Sequence, residues 1–409
     1  MKRLLKTMAL YALLLVVIPF VLLEGISRLL PVASPPPLQA VTPAEPIAHF
    51  APNTDYTYSA GWNFAIRSRK HANNYGFNNV SDYHPGEKTP LFMVIGDSFV
   101  EAHEVDAGKS AAELLHAGLG GAGRVYSIGL SGAALPQYLA TAGYACGKFR
   151  PDALAFFIIG NDFHESLLKY SKEAQLHHFD DQGRLVLPGY ELSTTKKVLR
   201  HSAFIRYVMY NMVTGARLEQ IRKRLRGPAA VATAHAADDE QMLRDSQKAV
   251  DYFLAQLPQR CGLEPRAILF VLDAVRPEIY SAATLPAAEQ TSFHARMRAY
   301  LAAQAKARGY EVRDMQPVFI ARHARDGSPP NDHARPSARA HRSRNRLFRT
   351  GIDRRLSRLL SLLSPFALPV RIVIARSKAT KQSSLSCGSM DCFAEPVIGR
   401  AFARPVGSQ

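Results

Sequence analysis

The stretch LFMVIGDSFVE, Leu91–Glu101, decides the fold. Five apolar residues, Leu91 to Ile95, run without a polar break and stop at Gly96-Asp97-Ser98. A short apolar run closed by a glycine turn reads as a strand buried on both faces that ends at a sheet's carboxyl edge. Ligands of open α/β sheets bind at that edge. A serine on a tight turn between strand and helix presents its hydroxyl at the rim, with its backbone N–H pointing into the same space. Ser98 is therefore a candidate nucleophile. The same residues also fit a capping box, in which Ser98 caps the following helix and Glu101 returns the bond. On this segment alone the two readings stand level.

Working outward, apolar runs and helical segments alternate. A helix near Ser110–Ala117 leads to a strand Arg124–Ile128, then a helix Leu135–Cys146 and a strand Ala153–Ile159. After an insertion, Ala267–Asp273 restores the pattern, followed by a helix over Ala287–Lys306 and a strand Tyr310–Asp314. Such alternation implies parallel strands joined by right-handed crossovers. The prediction is an α/β fold, a three-layer α/β/α sandwich around a five-stranded, mainly parallel sheet. Two phosphate-loop patterns fail on context. Gly118, Gly120 and Gly123 spell G-x-G-x-x-G but precede a strand instead of following one, and Gly108-Lys109-Ser110 lacks the first glycine of a P-loop, His103 standing there.

The insertion His164–Gln259 is mostly helical, with a hairpin around Asp180-Asp181-Gln182-Gly183 and basic amphipathic stretches such as Leu218–Leu225. Its place after a strand end suits a lid or substrate wall, and a solvated helical decoration fits as well. His177-His178 beside Asp180 and Asp181 has the donor types of a metal site without its spacing, and no metal is expected.

Met1–Leu30 opens with Lys2, Arg3 and Lys6 and then runs apolar from Met8 to Leu23. A cationic start before such a run is a membrane signal. It favours an inside amino terminus and puts the rest of the chain outside the cytoplasm, in the periplasm if the cell is Gram-negative. No A-x-A cleavage site follows, so an uncleaved transmembrane anchor is favoured over a removed signal peptide. Pro31–Pro90 begins with PVASPPP, read as a semi-rigid spacer, and continues as a lead-in with short strands around Tyr56, Tyr58 and Trp62.

The formal net charge is +17, unevenly spread. Ala334–Gln409 carries fifteen Lys and Arg against Asp353, Asp391 and Glu395, so the rest of the chain is only mildly basic and nucleic acid is not an expected partner. The four cysteines Cys146, Cys261, Cys387 and Cys392 form no C-x-x-C pair. A Cys146–Cys261 disulfide and two buried thiols are level expectations.

Three short motifs fall at successive strand ends: Gly96-Asp97-Ser98, Ser127-Ile128-Gly129-Leu130-Ser131-Gly132 and Ile159-Gly160-Asn161-Asp162. In that order they resemble the SGNH hydrolases, or GDSL-type esterases, over Leu91–His333. The resemblance implies a flavodoxin-like sandwich and a serine ester hydrolase that acts on acyl esters, often acetyl, with no cofactor. Ser98 would be the nucleophile, and the oxyanion hole would comprise the Ser98 N–H, the Gly132 N–H and the Asn161 amide. Acyl transfer needs such donors because its tetrahedral oxyanion must be held, each donor being worth about 3–4 kcal/mol. Turn and capping roles for Gly132 and Asn161 are the plain alternatives.

The family's Asp and His stand two or three positions apart near the carboxyl end. Here Asp332 and His333 are the nearest match and are adjacent, with Asp326 and His341 nearby. The resemblance implies a small acyl ester or acylated glycan as substrate. Some envelope members transfer acetyl groups to polysaccharide instead, and a catalytically inactive, glycan-binding scaffold is the remaining reading. The tail 334–409 lacks the helix expected after the triad histidine. Its Arg-Ser scatter is the composition of translation past a frameshift near Arg325–His341, the rival being a basic tail for anionic membrane or polymer.

Overall fold

A computed structural model of the chain describes residues 2–189, 194–212, 235–274 and 292–326. The apolar run at its centre becomes β3 (Leu91–Gly96), and the later runs become β4 (Arg124–Gly129), β5 (Ala153–Ile158), β8 (Ile268–Leu272) and β9 (Glu311–Asp314). They form one five-stranded sheet in the order β4-β3-β5-β8-β9 with every pairing parallel. The order reverses at β3, whose neighbours lead off in opposite directions, so the crevice beyond the carboxyl ends of β3 and β5 is the topological switch point.

Helices cover both faces. Met93 and Ile95 of β3, Phe156 of β5 and Phe270 of β8 pack into a core with Leu139 of α5 (Leu135–Phe149), Phe253 of α9 (His235–Cys261) and Leu301 of α10 (Phe293–Ala307). Val94, between Met93 and Ile95 in sequence, points the other way, into a smaller cluster with Val125 and with Val100 and Ala112 of α3 (Ser98–Glu101) and α4 (Ala111–Leu119). Successive strand residues face opposite sides, so a strand apolar at every position needs a layer on each side. Each such side chain contributes about 1.5–3 kcal/mol on full burial. The sequence-based strand limits shift by at most a residue or two, as helix and strand ends usually do.

The insertion begins with the four-residue α6 (Asp162–Glu165) and a hairpin of β6 (His178–Phe179) and β7 (Leu185–Val186), turning at Asp180 where expected. It continues through α7 (Thr194–Leu199), α8 (Ala203–Arg206) and a π-helical turn Tyr207–Met212. The stretch Leu218–Leu225 and the tail 334–409 lie outside the described residues. His177 and His178 are taken up structurally: Nδ1 of His177 stands 2.9 Å from Gln137 Oε1, and the two ring nitrogens of His178 stand 3.1 and 3.2 Å from the carbonyl oxygens of Glu165 and Glu173.

Cys146 of α5 and Cys261 of α9 are joined as a disulfide, which decides between the two expectations. The bond spans 115 positions, and closing so long a loop in the unfolded chain stabilises the fold by about 2–5 kcal/mol. The Cys146→Ser, Cys261→Ser double variant is expected to lose that much in urea unfolding, while keeping the far-ultraviolet dichroism of the oxidised protein.

At the amino end, α1 (Lys2–Ala12) runs through a π turn (Leu13–Val17) into α2 (Ile18–Leu29). Lys6–Leu29, 24 residues that include an 18-residue window of mean hydropathy 2.4, is long and apolar enough to cross a membrane. The Pro-rich segment after it departs from the spacer reading. Val32 and Ala33 are buried, and Ser34 N–H donates to Thr57 O of β1 (Thr54–Ala60), so this segment lies against the body. β1 pairs with β2 (Ile66–Ala72) as a hairpin. The lead-in also covers the sheet's edge: Tyr83 OH accepts from Ser127 N and donates to Ser127 O, satisfying the outer side of β4 where an open strand would otherwise invite pairing.

Candidate active site

The carboxyl edge is built from glycines inward. A Cβ on Gly129 would lie 2.2 Å from Glu101 N and 2.7 Å from its Cα, so α3 crosses the end of β4 backbone against backbone. No L side chain fits there without moving the helix that begins at Ser98. Gly129→Ala is expected to cost about 3 kcal/mol or more in a denaturant titration, as overpacking against immobile backbone does. The sequence motif singled out Gly132 and left Gly129 without a role; a glycine ending a strand, where backbones approach closely, was the available signal.

Ser98 is the first residue of α3 and is half-buried. The helix is capped by Asp97, whose Oδ1 accepts from Phe99 N at 2.9 Å. The capping reading of Ser98 is therefore corrected, because a residue already in helical conformation cannot fold its side chain back to cap its own helix. Glu101 returns no bond to it. A capping box does occur, at Ser110 and Glu113 of α4. Ser98 Oγ donates instead to Asp97 Oδ2 at 3.2 Å, and its N–H has no hydrogen-bond partner among the described residues.

Glu101 reaches across to the loop after β4. Its carboxylate accepts from Ser131 N at 2.7 Å and from Ser131 Oγ. His103 Nε2 stands 3.0 Å from the other oxygen, without the alignment of a hydrogen bond. Both side chains are almost wholly buried. The next residue, Gly132, has φ +86° in a turn closed by Ala133 N–H to Leu130 O at 2.9 Å. It is a turn residue, and the left-handed φ is why glycine is needed. Leu130 N–H donates to Gly96 O at 3.2 Å, which ties this turn to the end of β3.

Asn161 ends the β5 loop at the start of α6 and makes no side-chain cap. Its Nδ2 donates to Glu165 Oε2 at 2.6 Å, which orients the amide. Ser98, Gly132 and Asn161 thus come from loops after three adjacent strands, held in register by Gly96↔Gly129 and Ile95↔Phe156.

Four carboxyls lie beneath this edge: Asp97, Asp162, Glu165 and Asp273. Asp162 is fully buried, with Oδ2 accepting from Tyr138 OH at 3.0 Å and Ile159 N at 2.8 Å. Burial, with the charge of Asp97 second, pushes its pKa well up. Burial likewise raises Asp97 to about 7, with Asp273 adding to the rise, and Glu165 to about 8, with Asp97 adding. Acids raised in the folded state stabilise it fully below their unfolded values, and that stability is lost as pH climbs through the folded values. Burial holds His164 and His177 down to about 4, so their contribution is complete above 6.5 and lost on acidification. The melting temperature is therefore expected to fall as pH rises from about 6.5 to about 8.5, and Glu165→Gln to flatten that slope.

Asp332 and His333, with His341, lie outside the described residues, as does the side chain of Asp326. Two histidines that no sequence motif marks stand at the edge. His164 lies on α6, its ring 5.7 Å from that of Phe293. His294 lies in the first turn of α10, and a Cβ on Gly160 would come within 2.9 Å of its Nδ1, so its ring packs directly on the β5 end beside Asn161.

No family model matches the chain, and no curated protein matches it. Among solved structures it is similar to AlinE4, an SGNH-hydrolase family esterase, and to a mutant of that esterase. In each case the identity is 14%, over 63% of this chain and 91% of that chain, with a TM-score of 0.27. At that level of similarity nothing of their activity transfers to this chain.

Proposed function

We propose that the chain is a membrane-anchored serine ester hydrolase whose body stands outside the cytoplasm and cleaves acyl esters, in particular acetyl esters, through Ser98. Oγ attacks the ester carbonyl as a base takes its proton. The oxyanion is held by the Ser98 and Gly132 N–H groups and the Asn161 amide, and the alcohol leaves with the proton. Water then repeats the cycle on the acyl-enzyme, so one ester and one water give one acid and one alcohol. His333 acts as the base and Asp332 orients it.

The observation that supports this reading is that a half-buried serine on a strand-to-helix turn, a positive-φ glycine turn and an asparagine bonded to Glu165 stand on the loops after three adjacent strands. In the resting state Ser98 Oγ donates to Asp97, so attack requires the hydroxyl to turn from that acceptor to the base. The disulfide supports the extracytoplasmic site, since such bonds persist in oxidising compartments, and so do the cations ahead of the apolar helix.

His294 gives a second position for the base, favoured by its ring packing on Gly160. His333→Ala and His294→Ala separate the two: the true base loses activity by orders of magnitude, the other keeps it. The reading as a whole is tested by intact-mass labelling of the full chain in detergent with a fluorophosphonate. One adduct mapping to Ser98 supports an activated nucleophile. A folded protein that takes none overturns the reading and leaves an inactive scaffold.

A further inference from the structure

The segment 194–212 is fastened to the apolar anchor as if the two were one element. Glu24 of α2 caps α8 from outside: its carboxylate accepts from Ser202 Oγ at 2.7 Å, Ala203 N at 3.0 Å and Phe204 N at 2.9 Å. Arg28 holds the same carboxylate at 2.7 Å, and Phe20 meets Phe204 edge-on at 5.9 Å. Arg200 donates to Pro35 O just past the anchor.

On its far side the segment is bonded to the β1–β2 hairpin. Tyr207 OH donates to Trp62 O at 2.7 Å, the Tyr207 and Phe64 rings lie 5.5 Å apart, and Asn211 Nδ2 donates to Ser59 Oγ at 3.1 Å. Between these attachments the sequence is basic and aromatic, with Lys196, Lys197, Arg200 and Arg206 and no acid. Beyond residue 30, large apolar side chains are exposed at five described positions. Three of them, Trp62 at 64%, Val198 at 64% and Met212 at 42%, belong to this segment or to the hairpin turn it holds.

We infer that residues 194–212 and the turn at Trp62 form a second membrane contact, an interfacial belt in the headgroup layer of the bilayer that Lys6–Leu29 enters. The inference rests on the membrane-anchor part of the proposed function and not on its chemistry. A lipid surface is the occupant because the patch is continuous with the anchor's end, and because aromatic rings with cations are what the interface selects. The anchor has no slack to lift the body away, since the Pro-rich segment after it is packed down.

Trp62 is the chain's single tryptophan, so its emission reports the contact without a label. The full chain is reconstituted in vesicles of phosphatidylcholine and phosphatidylglycerol, with and without lipids brominated near the headgroup, and floated on a gradient. The expected result is a chain that floats, with Trp62 emission shifted to shorter wavelength and cut by about half by the bromines. In the Val198→Asp, Met212→Asp double variant the chain still floats, but most of that quenching is lost. A floating chain whose Trp62 emits as in water and is quenched by aqueous iodide overturns the belt and leaves the anchor standing, as does a double variant with quenching unchanged. A chain that does not float overturns both belt and anchor while leaving the ester chemistry of Ser98 untouched.

Discussion

Ser98→Ala is expected to lower the kcat of ester turnover by about 10⁴- to 10⁶-fold, with the melting temperature almost unchanged. The two halves of that result have separate causes. On the proposed mechanism no acyl-enzyme forms without the hydroxyl, and what remains is the acceleration that oxyanion donors give to attack by water. The folded state loses little, because Ser98 Oγ makes a single long bond, to Asp97 at 3.2 Å, and the helix is capped by Asp97. A half-buried position of that kind falls within about 0.5 kcal/mol. Turnover left intact in the variant would remove Ser98 from the mechanism, and a large drop in melting temperature would show the serine to be structural.

Glu101→Ala carries the opposite signature, with stability falling first. Its carboxylate serves Ser131 N, Ser131 Oγ and His103 together in a site where Glu101 and His103 are 3% and 1% exposed. Alanine leaves the Ser131 N–H and hydroxyl, both part-buried, without their acceptor and removes the carboxylate beside the buried His103 ring. Leaving a part-buried donor unsatisfied costs about 1–3 kcal/mol, so urea unfolding should lose at least that amount. Where the variant stays folded, the proposed mechanism has kcat falling by about 10²-fold with KM little changed, because Ser131 is no longer held beside the proposed oxyanion donor Gly132. Glu101→Gln keeps one acceptor oxygen and should recover part of both losses. A folded Glu101→Ala protein with wild-type kcat would show that the carboxylate has no part in presenting Gly132.

These two residues mark what the sequence could and could not show. β3, β5 and β8 are legible because a strand covered on both faces must be apolar at every position, and Leu91–Ile95, closed by Gly96, has a strand's length and not a helix's. Their parallel order followed from the helices between them. Ser98 was legible because its position depends only on local chain geometry, two residues past the strand. Its rival role as a cap was also local, yet sequence could not choose, since Asp97 and Ser98 are both good N-caps and the choice depends on where the helix starts.

Local spacing alone makes Glu101 a capping partner, three residues after Ser98. Its bond to Ser131 joins two loops brought together only when Gly96 and Gly129 lie side by side. His294 is unmarked in the sequence for the same reason: it comes to the loop of Asn161 only when α10 packs its first turn on Gly160. The lead-in likewise had no readable purpose, since covering the edge of β4 and clasping the turn after α3 are long-range acts. Lys70 of β2 donates to Ala102 O at 2.8 Å and Ser68 to His103 O at 2.5 Å, bonds no local pattern announces.

The disulfide between α5 and α9 bears finally on how fast the sheet is assembled. β5 pairs with β8 across the whole insertion, and a parallel pairing so remote in sequence must bear its loop-closure entropy before any contact rewards it. Cys146 stands just before β5 and Cys261 just before β8. Oxidation therefore closes the loop that this pairing has to close. Once the bond exists, the search for β8 becomes local, and the insertion can be long and varied without slowing the central sheet.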